Sequence, residues 1–163
     1  MKLLLLSTIF VCCVLIGLYI KQYFVSKQYF YYDLLSFCDY IKLNISSSKQ
    51  KLSTIIAKHK DNYHKDFSML LDNYIEYIRG TISQQEFNKV NIKPLNEEEG
   101  QEVKYFLSDL GGLLREEEIE NIALKRNVFE SKHICCQQNT SKYSSVILKL
   151  FIMLGLVFFI IFI

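Results

Sequence analysis

Three groups of residues in this 163-residue chain have side chains suited to chemistry, and their spacing decides whether they can perform it. His59 and His64 stand five apart in "HKDNYH", with Asp61 and Asp66 beside them. Two imidazoles on one helix face need a spacing of three or four to share an ion, so this stretch reads as a polar turn between two helices. "HICC", His133 to Cys136, combines zinc-ligand types, but its adjacent cysteines would point about 100° apart on a helix. They lack the two-residue spacer that brings both thiolates to one metal. The acid runs Glu97–Glu99 and Glu116–Glu118 each fall at an expected helix start, where carboxylates offset the positive end of the helix dipole. No nucleophile elbow and no Gly-rich phosphate loop occurs. The residues point to a non-enzyme, with no catalytic residue, no cofactor and no metal site.

The elements that would hold these residues are set by an uneven apolar distribution. Leu3–Ile20 is uncharged over 18 residues, and "SVILKLFIMLGLVFFIIFI" occupies residues 145–163. A helix needs about 20 apolar residues to cross the hydrocarbon core. The first run follows only Lys2 and leads into "KQYFVSKQYF" without a small-x-small cleavage site, so it reads as an uncleaved anchor rather than a signal peptide. The second is apolar on every face from Leu150 onward, with Lys149 able to snorkel to the headgroups. The division expected is an anchor at 1–24, a helical bundle domain at 25–144 and a transmembrane helix at 145–163. Lys21, Lys27, Lys142 and Lys149 edge the middle domain while Lys2 stands alone on the far side, which places that domain in the cytoplasm. Cys38, Cys135 and Cys136, an odd number without a disulfide framework, agree with a reducing compartment.

Between the runs, one Pro and six Gly in the whole chain favour helices. Residues 29–58 place Phe30, Leu34, Phe37, Cys38, Ile41, Ile45, Leu52, Ile55 and Ile56 at helical spacing, with Ser46–Ser48 in mid-helix. Phe67, Leu70, Leu71, Tyr74, Ile75 and Ile78 repeat the pattern up to Gly80. Ser83–Glu86 and Asn96–Glu99 have the form of capping boxes, Gly111-Gly112 a stop, and a last helix starts near Arg115 and runs with little interruption into the second apolar segment. The fold class is therefore all-α, a membrane-anchored helical bundle flanked by N- and C-terminal transmembrane helices. Residues 21–93 carry 11 basic and 7 acidic side chains, and 94–132 carry 5 and 10. A domain divided in this way suits protein partners better than nucleic acid, whose groove demands one sign.

This order of parts resembles the stage III sporulation protein AB family. The likeness lies in "LLSFCDYIKLNISSSKQKLSTII" (Leu34–Ile56), in "LNEEEGQEVKYFLSDLGG" (Leu95–Gly112) and in the closing hydrophobic helix with Gly155. The resemblance implies a scaffold subunit of the channel complex between mother cell and forespore, with no small-molecule substrate. Its soluble domain would be similar to that of the type II secretion platform protein. Its partners would be the stage III sporulation ATPase, protein AA, other stage III membrane proteins and membrane lipid. The basic stretch Lys42, Lys49, Lys51, Lys58, Lys60 and Lys65 is the docking surface expected for that ATPase; a solvated face balanced by anionic headgroups is the alternative. Two other functions stand beside this one, a two-span adaptor recruiting a soluble partner by helix–helix contacts and a membrane-bound enzyme with an unrecognised site.

Overall fold

The computed structural model describes residues 2–47, 51–112 and 114–162. Among them every regular element is helical: α1 (Lys2–Ser47), α2 (Leu52–His59), a 3-10 turn (Lys60–Asn62), α3 (Lys65–Ile78), α4 (Gln84–Lys89), α5 (Glu97–Asp109), α6 (Arg115–Asn139), a π turn (Thr140–Ser144) and α7 (Ser145–Phe162). They form two compact units, Met1–Gln28 with Ile134–Ile163, and Tyr29–His133.

Two helical stretches, Phe10–Ile45 and Arg115–Val157, are long and apolar enough to cross a membrane. Only 6% and 11% of their most apolar windows are buried, little for a helix packed in the core of a water-soluble fold. In the first unit α1 and α7 run antiparallel, Gly17 lying against Leu148 and Phe151, and Gly155 against Phe10 and Cys13. A Cβ at Gly17 would sit 3.1 Å from that of Phe151, so any larger residue would press the two helices apart by a few tenths of an ångström. Val11, Leu15, Ile16, Leu150, Met153 and Val157 point outward. The hydroxyl of Thr140, the first residue of the π turn, bonds to the carbonyls of Cys136 (2.8 Å) and Phe24 (3.3 Å). The helical path from α6 into α7 is thus kept through one wide turn, as the sequence predicts.

The second unit is built around aromatic side chains. Phe67 of α3 meets Phe30, Phe37 and Tyr63 edge-on at centroid distances of 5.3, 5.7 and 5.2 Å, and Phe106 of α5 meets Phe129 of α6 at 5.3 Å. Most of the apolar positions read from helical spacing fill this core; Ile45, Leu52 and Ile119 are only half-buried, and Ile78 is exposed at the end of α3. Helix ends follow local chemistry. Ser83 and Asn96 both form complete capping boxes, with Glu86 and Glu99 returning bonds to the cap backbones. Gly80 adopts φ 76°, and the bonds Gly80 N to Tyr77 O and Thr81 N to Glu76 O close α3 as a glycine-ended cap does.

One expectation fails. Ser46 and Ser47 do not lie in mid-helix but close α1, Lys51 is extended (φ −65°, ψ 139°) and α2 begins at Leu52; Ser48 lies outside the described residues. Serine side chains compete for backbone hydrogen bonds and weaken a helix interior, which outweighs an apolar period that continues on both sides.

Candidate docking site

Of the six lysines, Lys42 is exposed near the end of α1, Lys51 is the N-terminal cap residue of α2, Lys58 lies in its last turn and Lys65 opens α3. Lys49 lies outside the described residues. α2 buries Ile55 and Ile56 and turns Lys51, Thr54 and Lys58 outward, spacings of three and four that put them on one face. Lys60 is already engaged. Its ammonium pairs with Asp72 of α3, and this hydrogen bond raises its pKa. The structure therefore brings Lys51 and Lys58 together on α2, with Lys42, Lys60 and Lys65 at its two approaches. The division of charge along the sequence is not a division in space at one end of the unit. The Arg115 guanidinium donates to the carbonyl of Ile45 at 2.7 Å, setting the acidic start of α6 beside the end of α1 that carries Lys42.

The histidine turn is fastened to α1 by more than its polarity. The carboxylate of Asp33, 2% exposed, accepts from the backbone N–H of His64 at 2.7 Å and faces its Nδ1 at 2.9 and 3.0 Å. The ring of His64 stacks on Tyr29 at 4.5 Å, and that of His59 stacks on Tyr40 at 4.1 Å. Each imidazole thus has an aromatic partner on α1, and the two do not converge on a common ion. Among the described residues no group of three or more His, Cys, Asp or Glu side chains is placed to hold a metal. Cys38 is buried, and desolvation first, with the charge of Asp39 second, pushes its thiol up to about 12, which removes it as a nucleophile at neutral pH. Glu118, second of the buried acids, accepts from the N–H of Gly111 at 2.9 Å and holds a turn whose φ of 89° favours glycine. Sequence spacing cannot signal Asp33 or Glu118, because their partners are remote along the chain or lie on its backbone.

A family model described as stage III sporulation protein AB matches residues 2–163, nearly the full length. The chain belongs to the stage III sporulation protein AB family. No curated protein and no solved structure matches it. Family membership carries a role in stage III of sporulation, and the family is one of sporulation structural proteins rather than an enzyme class.

Proposed function

We propose that this chain is a non-enzymatic platform subunit of a secretion-like sporulation complex between mother cell and forespore. In this reading the apolar pair α1–α7 anchors it in the mother-cell membrane facing the forespore, and Tyr29–His133 lies in the cytoplasm. There it docks the stage III sporulation ATPase, protein AA, through Lys42, Lys51, Lys58 and Lys65. Lys49 completes the set in the sequence. Other stage III membrane proteins contact the anchors. The observation that carries the reading is that one all-helical unit is entered from one membrane-length helix and left through another. A displacement imposed on such a unit has two helical backbones along which to reach the membrane complex. The exposed face of α2 offers the ATPase a basic strip, and side chains of that kind steer association electrostatically.

Topology is the first test. Lys89 is exposed, and Lys89→Cys in a chain stripped of its native cysteines should react with a membrane-impermeant maleimide only after lysis. Labelling in intact cells would put the unit outside the cytoplasm and end the ATPase reading. With topology settled, Lys51→Glu with Lys58→Glu should reduce co-purification of the ATPase. Unchanged recovery would move the docking surface elsewhere.

A further inference from the structure

The segment joining α4 to α5 is flanked by two grooves that share Val90, Asn91 and Ile92. The larger, about 450 Å³, has Asn91, Gln101, Glu97 and Lys104 in its walls. The smaller, about 240 Å³, includes Lys65, Met69 and Lys93. Lys104 sets the larger one apart. The residue is 5% exposed, yet its ammonium has one acceptor among the described residues, the carbonyl of Asn88 at 2.6 Å. That carbonyl belongs to the last turn of α4, where no intrahelical donor remains, so the bond caps the helix. An ammonium has three donors, and the Asn88 carbonyl, which also accepts from Gln101 Nε2 at 3.5 Å, takes one of them. Burying a charge with no ion pair loses hydration that the more distant Glu97, in the same groove, restores only in part. Burial lowers the Lys104 pKa, with the charge of Glu97 opposing the shift. Lys104 lines the larger groove beside Gly100, where an added Cβ would meet only Ile92, at 3.8 Å.

We infer that this groove seats a carboxylate from an acidic peptide segment of a partner protein, held against Lys104 Nζ between Asn91 and Gln101. A segment rather than a free acid is indicated by the second groove across the ridge. There Met69, 53% exposed, offers an apolar contact, and Lys65 and Lys93 outnumber Asp66. A peptide crossing the ridge uses both grooves, whereas a small carboxylate uses one. Glu97, on the wall, opposes binding and limits its strength. The surface shares Lys65 with the set proposed for the ATPase but is centred on Lys104, and it stands whether or not that proposal does.

The test is fluorescence anisotropy on the full chain in detergent micelles, with a labelled peptide alternating Leu and Glu and a counterpart in which Gln replaces Glu. The acidic peptide should bind about tenfold tighter, since a seated charge pair of this size is worth about that factor. Asn91→Glu, at an exposed position that leaves the Lys104–Asn88 cap untouched, should weaken it about tenfold, and Glu97→Gln should tighten it about threefold. Lys58→Glu, outside the groove, should change nothing. Equal affinity for the two peptides, or indifference to Asn91→Glu, overturns the inference. Weakening by Lys58→Glu would assign the peptide to the α2 strip, and succinate competing as strongly as the peptide would make the site one for small acids; either result also overturns it.

Discussion

The two units solve helix packing in opposite ways. In the apolar pair, α1 and α7 meet where side chains are missing, at Gly17 and Gly155, and the interface is made by backbones drawn close. In Tyr29–His133 the helices meet where side chains are largest, around Phe67, and buried polar groups fix the turns. The difference follows from the solvent each unit is made for. In water, removing apolar surface is itself the driving force, at about 25 cal/mol per Å², so a bulky aromatic is the strongest glue available. Among lipid tails that force vanishes, and only close contact and hydrogen bonds remain to hold helices together.

The sharpest way to break the comparison is at its aromatic centre. Phe67→Ala should destabilise the helical unit by about 3–5 kcal/mol, the usual cost of emptying a phenyl site in a packed core. It should leave the α1–α7 pair formed. Denaturant titration of the full chain in micelles, followed by circular dichroism, would read the first effect. A helical signal that survives the transition would report the second, and one cooperative loss of all helix would show that the units do not stand independently. Next in size is Asp33→Ala, which removes the acceptor of two bonds from His64 and should cost about 2–3 kcal/mol. Combining it with His64→Ala should cost less than the sum of the single changes, because both remove the same pair. Strict additivity would mean that Asp33 acts through the backbone N–H of His64, which His64→Ala retains, and not through its ring.

What the sequence makes legible follows from how local each signal is. The ends of α3, α4 and α5 can be read in advance, since Gly80, Ser83–Glu86 and Asn96–Glu99 act on backbone within four residues of themselves. The core faces are legible because the helical period is local too. Asp33, Glu118 and Lys104 are not, for a buried polar residue is recognised by the group it meets, and His64 stands 31 positions from Asp33. The docking residues divide in the same way. That Lys51 and Lys58 would face water is written in the period of α2, but the pairing of Lys60 with Asp72 is made by a neighbouring helix. The separation of α1 from α2 escapes the periodic reading because apolar spacing continues on both sides, while Ser46 and Ser47 compete for the backbone.

A sharper version of the comparison lies in the apolar pair. An ideal Cβ at Gly155 is 3.5 Å from the Cβ of Cys13, the short end of disulfide reach. Gly155→Cys should therefore crosslink to Cys13 under mild oxidation, once the ring edge of Phe10 has swung aside. Gly17→Leu should lower that yield, because its neighbours are the Cβ of Phe151 and the Cα of Leu148, which cannot swing aside, and overpacking of this kind costs about 1–3 kcal/mol. A crosslink indifferent to Gly17→Leu would mean that the pair is not held by close backbone approach, and the contrast between the two units would fall.

The smallest expected effect belongs to the helical unit and tests whether its local caps matter beside its core. Glu86 accepts from the backbone N–H and the hydroxyl of Ser83, both at 2.8 Å, and the backbone bond first, then the hydroxyl, lowers its pKa from the ordinary 4.5. A carboxyl held lower in the folded than in the unfolded state contributes stability above the unfolded value and loses it as pH falls through the folded one. Glu86→Gln should therefore be slightly less stable than the parent at pH 7, and the gap should close as the pH drops below 4.5. Because the carboxylate is solvated, added salt should narrow the gap as well. A difference that persisted undiminished at pH 2.5, about two units under the ordinary carboxyl value, would show that Glu86 acts through its shape rather than its charge. The cap would then belong with the packed side chains of Tyr29–His133, and the division between local and remote signals would have to be drawn elsewhere.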